Sequence, residues 1–223
     1  LYDDDGDGRF ERGTLFADEL SWPTGVACWQ GGVYVSATPA VWYLKDTDGD
    51  GVADVRRKVF DGFRKYNVQA VANNLKWELD QRIYGAGSSN GGTIARIDDG
   101  EGGAAVRLGR NDFRFDPVSE RLEVLSGGAR FGNTFDDWGN RFICNIRNPL
   151  QHVVLAAEYL ARNPHFAVAS AVADVAVAGD AVPVYRVSPA EAWRVENARR
   201  LAADSSLRNS SASPSLRKWC GTP

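Results

Sequence analysis

Val41-Trp42-Tyr43-Leu44-Lys45-Asp46-Thr47-Asp48-Gly49-Asp50-Gly51-Val52-Ala53-Asp54-Val55 decides how this chain reads. The aromatic and β-branched residues before the acidic run favour an extended strand, and Val55 to Phe60 after it favours a second. The acidic run therefore joins two strands of a hairpin. Within it, Asp46, Asp48, Asp50 and Asp54 occupy loop positions 1, 3, 5 and 9. Carboxylates so spaced can converge on one hard cation, and calcium takes about six to eight oxygens. Gly49 and Gly51 permit the sharp turn, and the carbonyl of Val52 supplies a further ligand.

The same loop occurs at the start of the chain. Asp3, Asp5, Asp7 and Glu11 stand at positions 1, 3, 5 and 9, Arg9 offers the carbonyl, and the two copies are 43 residues apart. Like charges packed this closely repel unless a cation neutralises them, so both loops are expected to bind Ca2+. They are not helix-flanked EF-hands, because position 12 of the second copy is Arg57 rather than a bidentate Glu.

Working outward, three tight hairpins share one grammar of strand, polar turn and strand. They are Ala27-Cys28-Trp29-Gln30-Gly31-Gly32-Val33-Tyr34-Val35, Trp77-Glu78-Leu79-Asp80-Gln81-Arg82-Ile83-Tyr84-Gly85, and Phe135-Asp136-Asp137-Trp138-Gly139-Asn140-Arg141-Phe142-Ile143. Val33, Ile83 and Phe142 are spaced by 50 and 59 residues, near the period of about 40 to 50 expected of propeller blades. With no convincing helix before residue 155, the pattern predicts an all-β fold, a β-propeller of about three blades plus an N-terminal remnant. Trp29, Trp77 and Trp138 are expected to pack between blades. Asp136, Asp137 and Asn140 are expected to build a turn, since neighbouring strand residues face opposite ways and cannot flank one bond. The propeller is assigned to residues 1–195. A short helix is expected from Glu196 to Asp204, and residues 196–223 read as a serine-rich tail or linker.

Composition narrows the function classes. The chain has 223 residues, 43% of them hydrophobic, and a net charge of -3, with 29 acidic against 26 basic side chains. No basic face for nucleic acid emerges, and no apolar run reaches membrane-spanning length. The cysteines Cys28, Cys144 and Cys220 form no CxxC pair, so there is no haem attachment or zinc knuckle. The sequence contains no methionine and opens inside an acidic loop, which reads as a fragment. Weak short calcium loops suit millimolar calcium outside the cytosol, so an extracytoplasmic location is expected, periplasmic or membrane-associated.

Several stretches resemble one known family. They include Pro23-Thr24-Gly25-Val26-Ala27, the acidic hairpin above, Phe113-Arg114-Phe115-Asp116-Pro117, Phe131-Gly132-Asn133-Thr134-Phe135-Asp136-Asp137-Trp138-Gly139-Asn140-Arg141-Phe142, Gln151-His152-Val153-Val154-Leu155 and Tyr159-Leu160-Ala161-Arg162-Asn163-Pro164. In these the chain resembles the membrane-bound dehydrogenases of planctomycetes and verrucomicrobia, whose propeller is distantly similar to quinoprotein sugar dehydrogenases. The resemblance implies an oxidoreductase acting on a sugar or other alcohol, a pyrroloquinoline quinone cofactor, and electron transfer to a c-type haem domain outside this chain. The alternative is a noncatalytic propeller that binds polysaccharide or protein.

In an up-and-down blade, the second-to-third strand loops and the connections between blades share one end. Those segments, at 36–40, 67–74, 87–92, 127–134 and 145–152, are rich in Asn, Gln, Gly and Arg, a composition suited to a polar ligand. His152 is the candidate general base, because imidazole titrates near neutrality. Arg147 is the candidate partner for a carboxylate or developing oxyanion. Asn90, Asn133, Asn145 and Asn148 are the candidate cofactor contacts.

Overall fold

The computed structural model describes residues 1–97, 105–163, 165, 167–181, 183, 185, 189 and 191–203. These fall into two units, one within Leu1–Val177 and one within Ala178–Pro223. The division precedes the break expected after residue 195. In the second unit the expected short helix is present as Ala192–Ala203, and the serine-rich stretch after it lies outside the described residues.

The regular secondary structure described in the first unit is almost wholly antiparallel sheet. Strands β1 (Pro23–Trp29), β2 (Gly32–Ala37), β3 (Ala40–Lys45) and β4 (Val55–Phe63) form a meander in chain order. Gln30 and Gly31 both take positive φ, 44° and 75°, the turn that matches the twist of a two-residue hairpin. The second meander uses β5 (Asn73–Trp77), β6 (Ile83–Ala86), β9 (Asp112–Phe115) and β10 (Leu122–Leu125). The third uses β11 (Asn133–Phe135), β12 (Arg141–Ile143), β13 (Gln151–Val153) and β14 (Val172–Asp174). One short helix, α1 (Ala157–Arg162), and a 3-10 turn at Val68–Ala70 interrupt the strands. Among the described residues no helix is long and apolar enough to cross a membrane.

Between β6 and β9 the chain leaves the second sheet. β7 (Gly92–Arg96) pairs onto β4 and β8 (Val106–Arg107) onto β7, so the first sheet has six strands. This close approach depends on Gly62. Its φ is 106°, and a Cβ there would stand 2.0 Å from the Thr93 carbonyl oxygen, a distance that only glycine avoids.

The first strands of the meanders lie side by side, β1 against β5 and β5 against β11. Sheets one and two enclose the main core, with Tyr34, Val41, Phe60, Phe113 and Phe115 all at 1% exposure or less. Tyr34 and Phe60 each meet the Phe115 ring edge-on, at 5.0 and 5.2 Å, a favoured aromatic geometry. Each such ring contributes about 1.5–3 kcal/mol on burial. A second cluster covers the other side of the first sheet, where Phe16, Ala17 and Leu20 pack on Val35, Ala37, Leu44 and Ala53. Ala86, Ala129 and Ile143 join sheets two and three.

The tryptophan expectation is corrected in part. Trp29 and Trp77 end β1 and β5 and their rings pack at 5.4 Å. Trp138 is 83% exposed because it lies in the turn after β11 rather than at the strand end. The residue that ends β11 is Phe135, and it packs edge-on against Tyr84 at 4.9 Å.

Candidate cation loops and the polar end of the sheets

Both acidic loops close through the same local hydrogen bonds. At position 1, Asp3 accepts from the amides of Gly6 (2.6 Å) and Gly8 (3.0 Å), and Asp46 accepts from those of Gly49 (2.7 Å) and Gly51 (2.8 Å). At position 3, Asp5 accepts from Asp7 N (3.1 Å) and Asp48 from Asp50 N (3.2 Å). At position 5, Asp7 accepts from Arg9 N (2.8 Å) and Asp50 from Val52 N (2.7 Å). At position 9, Glu11 accepts from Asp4 N (2.7 Å) and Asp54 from Thr47 N (2.7 Å). All four loop glycines have positive φ, between 76° and 87°.

These bonds gather the carboxylates. Asp3, Asp5, Asp7 and Glu11 can bring one oxygen each within 4.8 Å of one another, as can Asp46, Asp48 and Asp50. Asp54 lies outside the second cluster, its Oδ2 engaged by the amide and hydroxyl of Thr47. The amides of Gly49 and Gly51 hold the Asp46 carboxyl below its usual range, and that of Thr47 does the same for Asp54. Both groups are therefore ionised at neutral pH. Such a cluster can hold one divalent cation with oxygen ligands.

The second loop links β3 to β4, at the same end as Trp29, Gly32, Lys45 and Val55, which pair in register. The first loop is closed by the Tyr2–Arg12 bridge and abuts the second. A Cβ on Gly51 would stand 2.9 Å from the Tyr2 hydroxyl, and Ala53 N donates to Phe16 O at 2.8 Å. The two loops are neighbours.

The opposite end is built by Pro23 pairing Ala37, Asn73 pairing Ala86, and Asn133 pairing Ile143. Side chains stitch the three sheets together there. Thr24 and Ser36 hydroxyls donate to Ala72 O at 2.6 and 3.1 Å, and Asn73 donates to Arg130 O at 3.0 Å. The sequence-derived loops therefore do meet at one end.

The candidate asparagines are engaged within it. Asn90 Nδ2 donates to the carbonyls of Arg64 and Asn67. Asn133, 5% exposed, donates to Asn74 Oδ1 at 2.9 Å and to its carbonyl at 3.1 Å. Asn145 donates to Gln151 Oε1 and Asn148 to Asp174 Oδ1, each at 2.8 Å, and Gln151 donates to the same Asp174 oxygen. His152 lies on β13 with its ring stacked on Phe142 at 5.1 Å, while Arg147 is exposed in the β12–β13 loop. The structure thus brings Asn145, Asn148 and Gln151 together around Asp174. Asn90 and Asn133 act as ties in other parts of the same end. Asp136 accepts from Trp138 N and Asn140 N, the turn-building role expected of it.

One buried group was not legible in the sequence. Asp112 is fully buried and accepts from the amides of Gly87 (2.9 Å), Gly128 (2.9 Å) and Ala129 (3.0 Å), and from the guanidinium of Arg141. Arg141 also donates to Ser126 O at 2.8 Å. This pair clamps the connection from sheet two to sheet three, and so positions the polar end. An Asp opening a strand of aromatic and basic residues gives no local hint of it.

Residues 1–215 match the family described as a domain of unknown function, DUF7133. No curated protein and no solved structure matches the chain.

Proposed function

The chain belongs to the DUF7133 family, and we propose that this member is a calcium-stabilised β-propeller module of an exported protein, holding a sugar or another alcohol at the polar end of its sheets. The observation that carries the calcium reading is that the same set of carboxylate-to-amide hydrogen bonds recurs in two acidic loops, gathering four carboxylates in one and three in the other. The cation would be held by Asp3, Asp5, Asp7 and Glu11 with the Arg9 carbonyl in one loop, and by Asp46, Asp48 and Asp50 with the Val52 carbonyl in the other. Its role there is to cancel like-charge repulsion and stiffen the strand connections. The propeller reading is supported by three consecutive four-strand meanders with their first strands side by side.

What happens to the ligand divides two readings. The family resemblance implies oxidation with pyrroloquinoline quinone and electron transfer to a haem domain outside the chain; in such a site His152 would take the hydroxyl proton and Arg147 would meet the developing charge, roles that rest on the chemistry of those side chains. The binding-only reading, for polysaccharide or protein, is favoured by one observation. The amide nitrogens of Asn90 and Asn133 each make two hydrogen bonds within the protein, so neither offers a quinone a free side-chain donor. Titration of the chain with pyrroloquinoline quinone separates the two. Saturable binding that vanishes in His152→Ala and Arg147→Ala supports oxidation, and its absence leaves binding alone.

A further inference from the structure

Charge is separated along the strands. Asp46, Asp48, Asp50, Asp80 and Asp116 stand in turns at the end that carries the acidic hairpin. The polar end instead carries Arg64, Lys65, Arg110, Arg130 and Arg147, none of which forms an ion pair among the described residues. Of the described carboxylates at that end, Asp61 is matched by Lys58 and Asp112 by Arg141, which leaves Asp174 against these cations. Such a field draws anions toward the polar end.

We propose that the Arg130 guanidinium, with the hydroxyls of Ser88 and Ser89, forms a subsite for one tetrahedral oxyanion, the phosphate or sulfate group of an ester. It lies at the same end as the ligand site proposed above but takes a different chemical group, and it stands whether or not that ligand is a sugar or an alcohol.

The Ser88 amide donates to Ala129 O at 3.1 Å, and Arg130 NH1 donates to Ser89 Oγ at 3.3 Å, so the β6–β7 loop lies directly against the connection from sheet two to sheet three. Arg130 Nε is shielded from water and has no acceptor, and a buried donor left unpaired costs free energy. Arg141 Nε shares that feature, but the other nitrogens of Arg141 donate to Asp112 and to Ser126 O. The Arg130 guanidinium has only the long bond to Ser89. Ser88 is 1% exposed, and its Oγ also lacks a partner. Its backbone is held at φ 57°, a left-handed conformation in which a serine is strained.

The chemistry of these donors selects the ligand. A flat carboxylate is matched by one guanidinium fork. Hydroxyls from a neighbouring loop add donors in a further direction, which suits oxygens arranged around phosphorus or sulfur. The Phe131 ring, 5.6 Å from the guanidinium carbon, steadies the cation. Arg130 is partly exposed and Ser89 is at the surface, so an ion reaches the guanidinium from solvent with a turn of the Ser89 side chain. Bound there, it would give Arg130 a counter-ion and tie the β6–β7 loop to the start of sheet three.

The test is nitrogen–proton correlation spectroscopy of the labelled chain, titrated with methyl phosphate, methyl sulfate and acetate while chloride holds the ionic strength constant. Saturable shifts of the Ser88, Ser89 and Arg130 amides are expected with at least one ester, and the ester that binds identifies the source of the oxyanion. Acetate should bind about tenfold more weakly. Arg130→Gln removes a charge-assisted donor and should weaken ester binding about tenfold or more. Arg110→Gln takes the same charge from the same end and should weaken it by less than about threefold, since an exposed charge is screened. Neither side chain carries an ion pair, so both variants should keep the circular dichroism of the unaltered chain. Absence of saturable shifts with either ester overturns the proposal. Equal losses in the two variants, the mark of a diffuse field, overturn it too, as does acetate binding as tightly as the esters.

Discussion

Replacing Asp112 by Asn tests the clamp between sheets two and three. The substitution keeps the shape and leaves Oδ1 able to accept from Gly87 N and Ala129 N. Where Oδ2 stood, an NH2 group would face Gly128 N and the Arg141 guanidinium, donors opposed to donors. Arg141 is itself 7% exposed, so its charge loses its counter-ion in a place water cannot reach. Removing one member of a buried pair costs about 3–5 kcal/mol, and the orphaned Gly128 amide places Asp112→Asn in the upper part of that range. For a chain of this size each kcal/mol lowers Tm by about 2–4 °C, so thermal unfolding followed by circular dichroism should show a fall of about 10 °C or more. Arg141→Met on its own should also destabilise. Combined with Asp112→Asn it removes the stranded charge, so the double variant should recover about 1 kcal/mol or more relative to the sum of the singles. A loss below about 1 kcal/mol for Asp112→Asn, or strict additivity in the double variant, refutes the reasoning.

Trp138→Ser should leave Tm unchanged, since the side chain is 83% exposed, whereas Phe135→Ala, which removes the ring packed on Tyr84, should cost about 1–2 kcal/mol; the reverse order in urea unfolding would contradict the corrected hairpin alignment. The Asp46 and Asp54 carboxyls are held below their ordinary range by the amides of Gly49, Gly51 and Thr47. A lowered folded pKa contributes stability above the unfolded value, near pH ~3.9, that is lost as pH falls through the folded one. Amide exchange at Thr47, Gly49 and Gly51 should therefore be slow at about pH 6 and fast at about pH 3, after correction for intrinsic rates; protection that persists in acid would contradict the local bonding.

What the sequence made legible was local. Alternating aromatic and β-branched residues around Gln30-Gly31 specify a hairpin whatever lies elsewhere, and the acidic loops gather their carboxylates through carboxylate-to-amide bonds spanning at most seven residues. The departure of β7 and β8 to the first sheet was not legible, because 92–96 reads equally well as a strand of either sheet and pairing with β4 joins residues 29 to 36 positions apart. The Trp138 expectation failed for a related reason. Counting from the turn aligned it with Trp29 and Trp77, but packing follows the strand end, which Phe135 occupies. At the polar end, the strand-and-loop order of a meander drew the asparagine-rich loops to one place. It could not tell that their amides tie the sheets to one another, since the partners are carbonyls and side chains of distant segments such as Asn74 and Asp174.

Calorimetric titration of the chelator-stripped chain with calcium asks whether both acidic loops hold the cation. Two saturable binding events are expected, one removed by Asp3→Asn and the other by Asp46→Asn, each with a rise in Tm on calcium addition that the corresponding variant loses. Heats that do not saturate, or binding indifferent to both substitutions, would contradict that expectation.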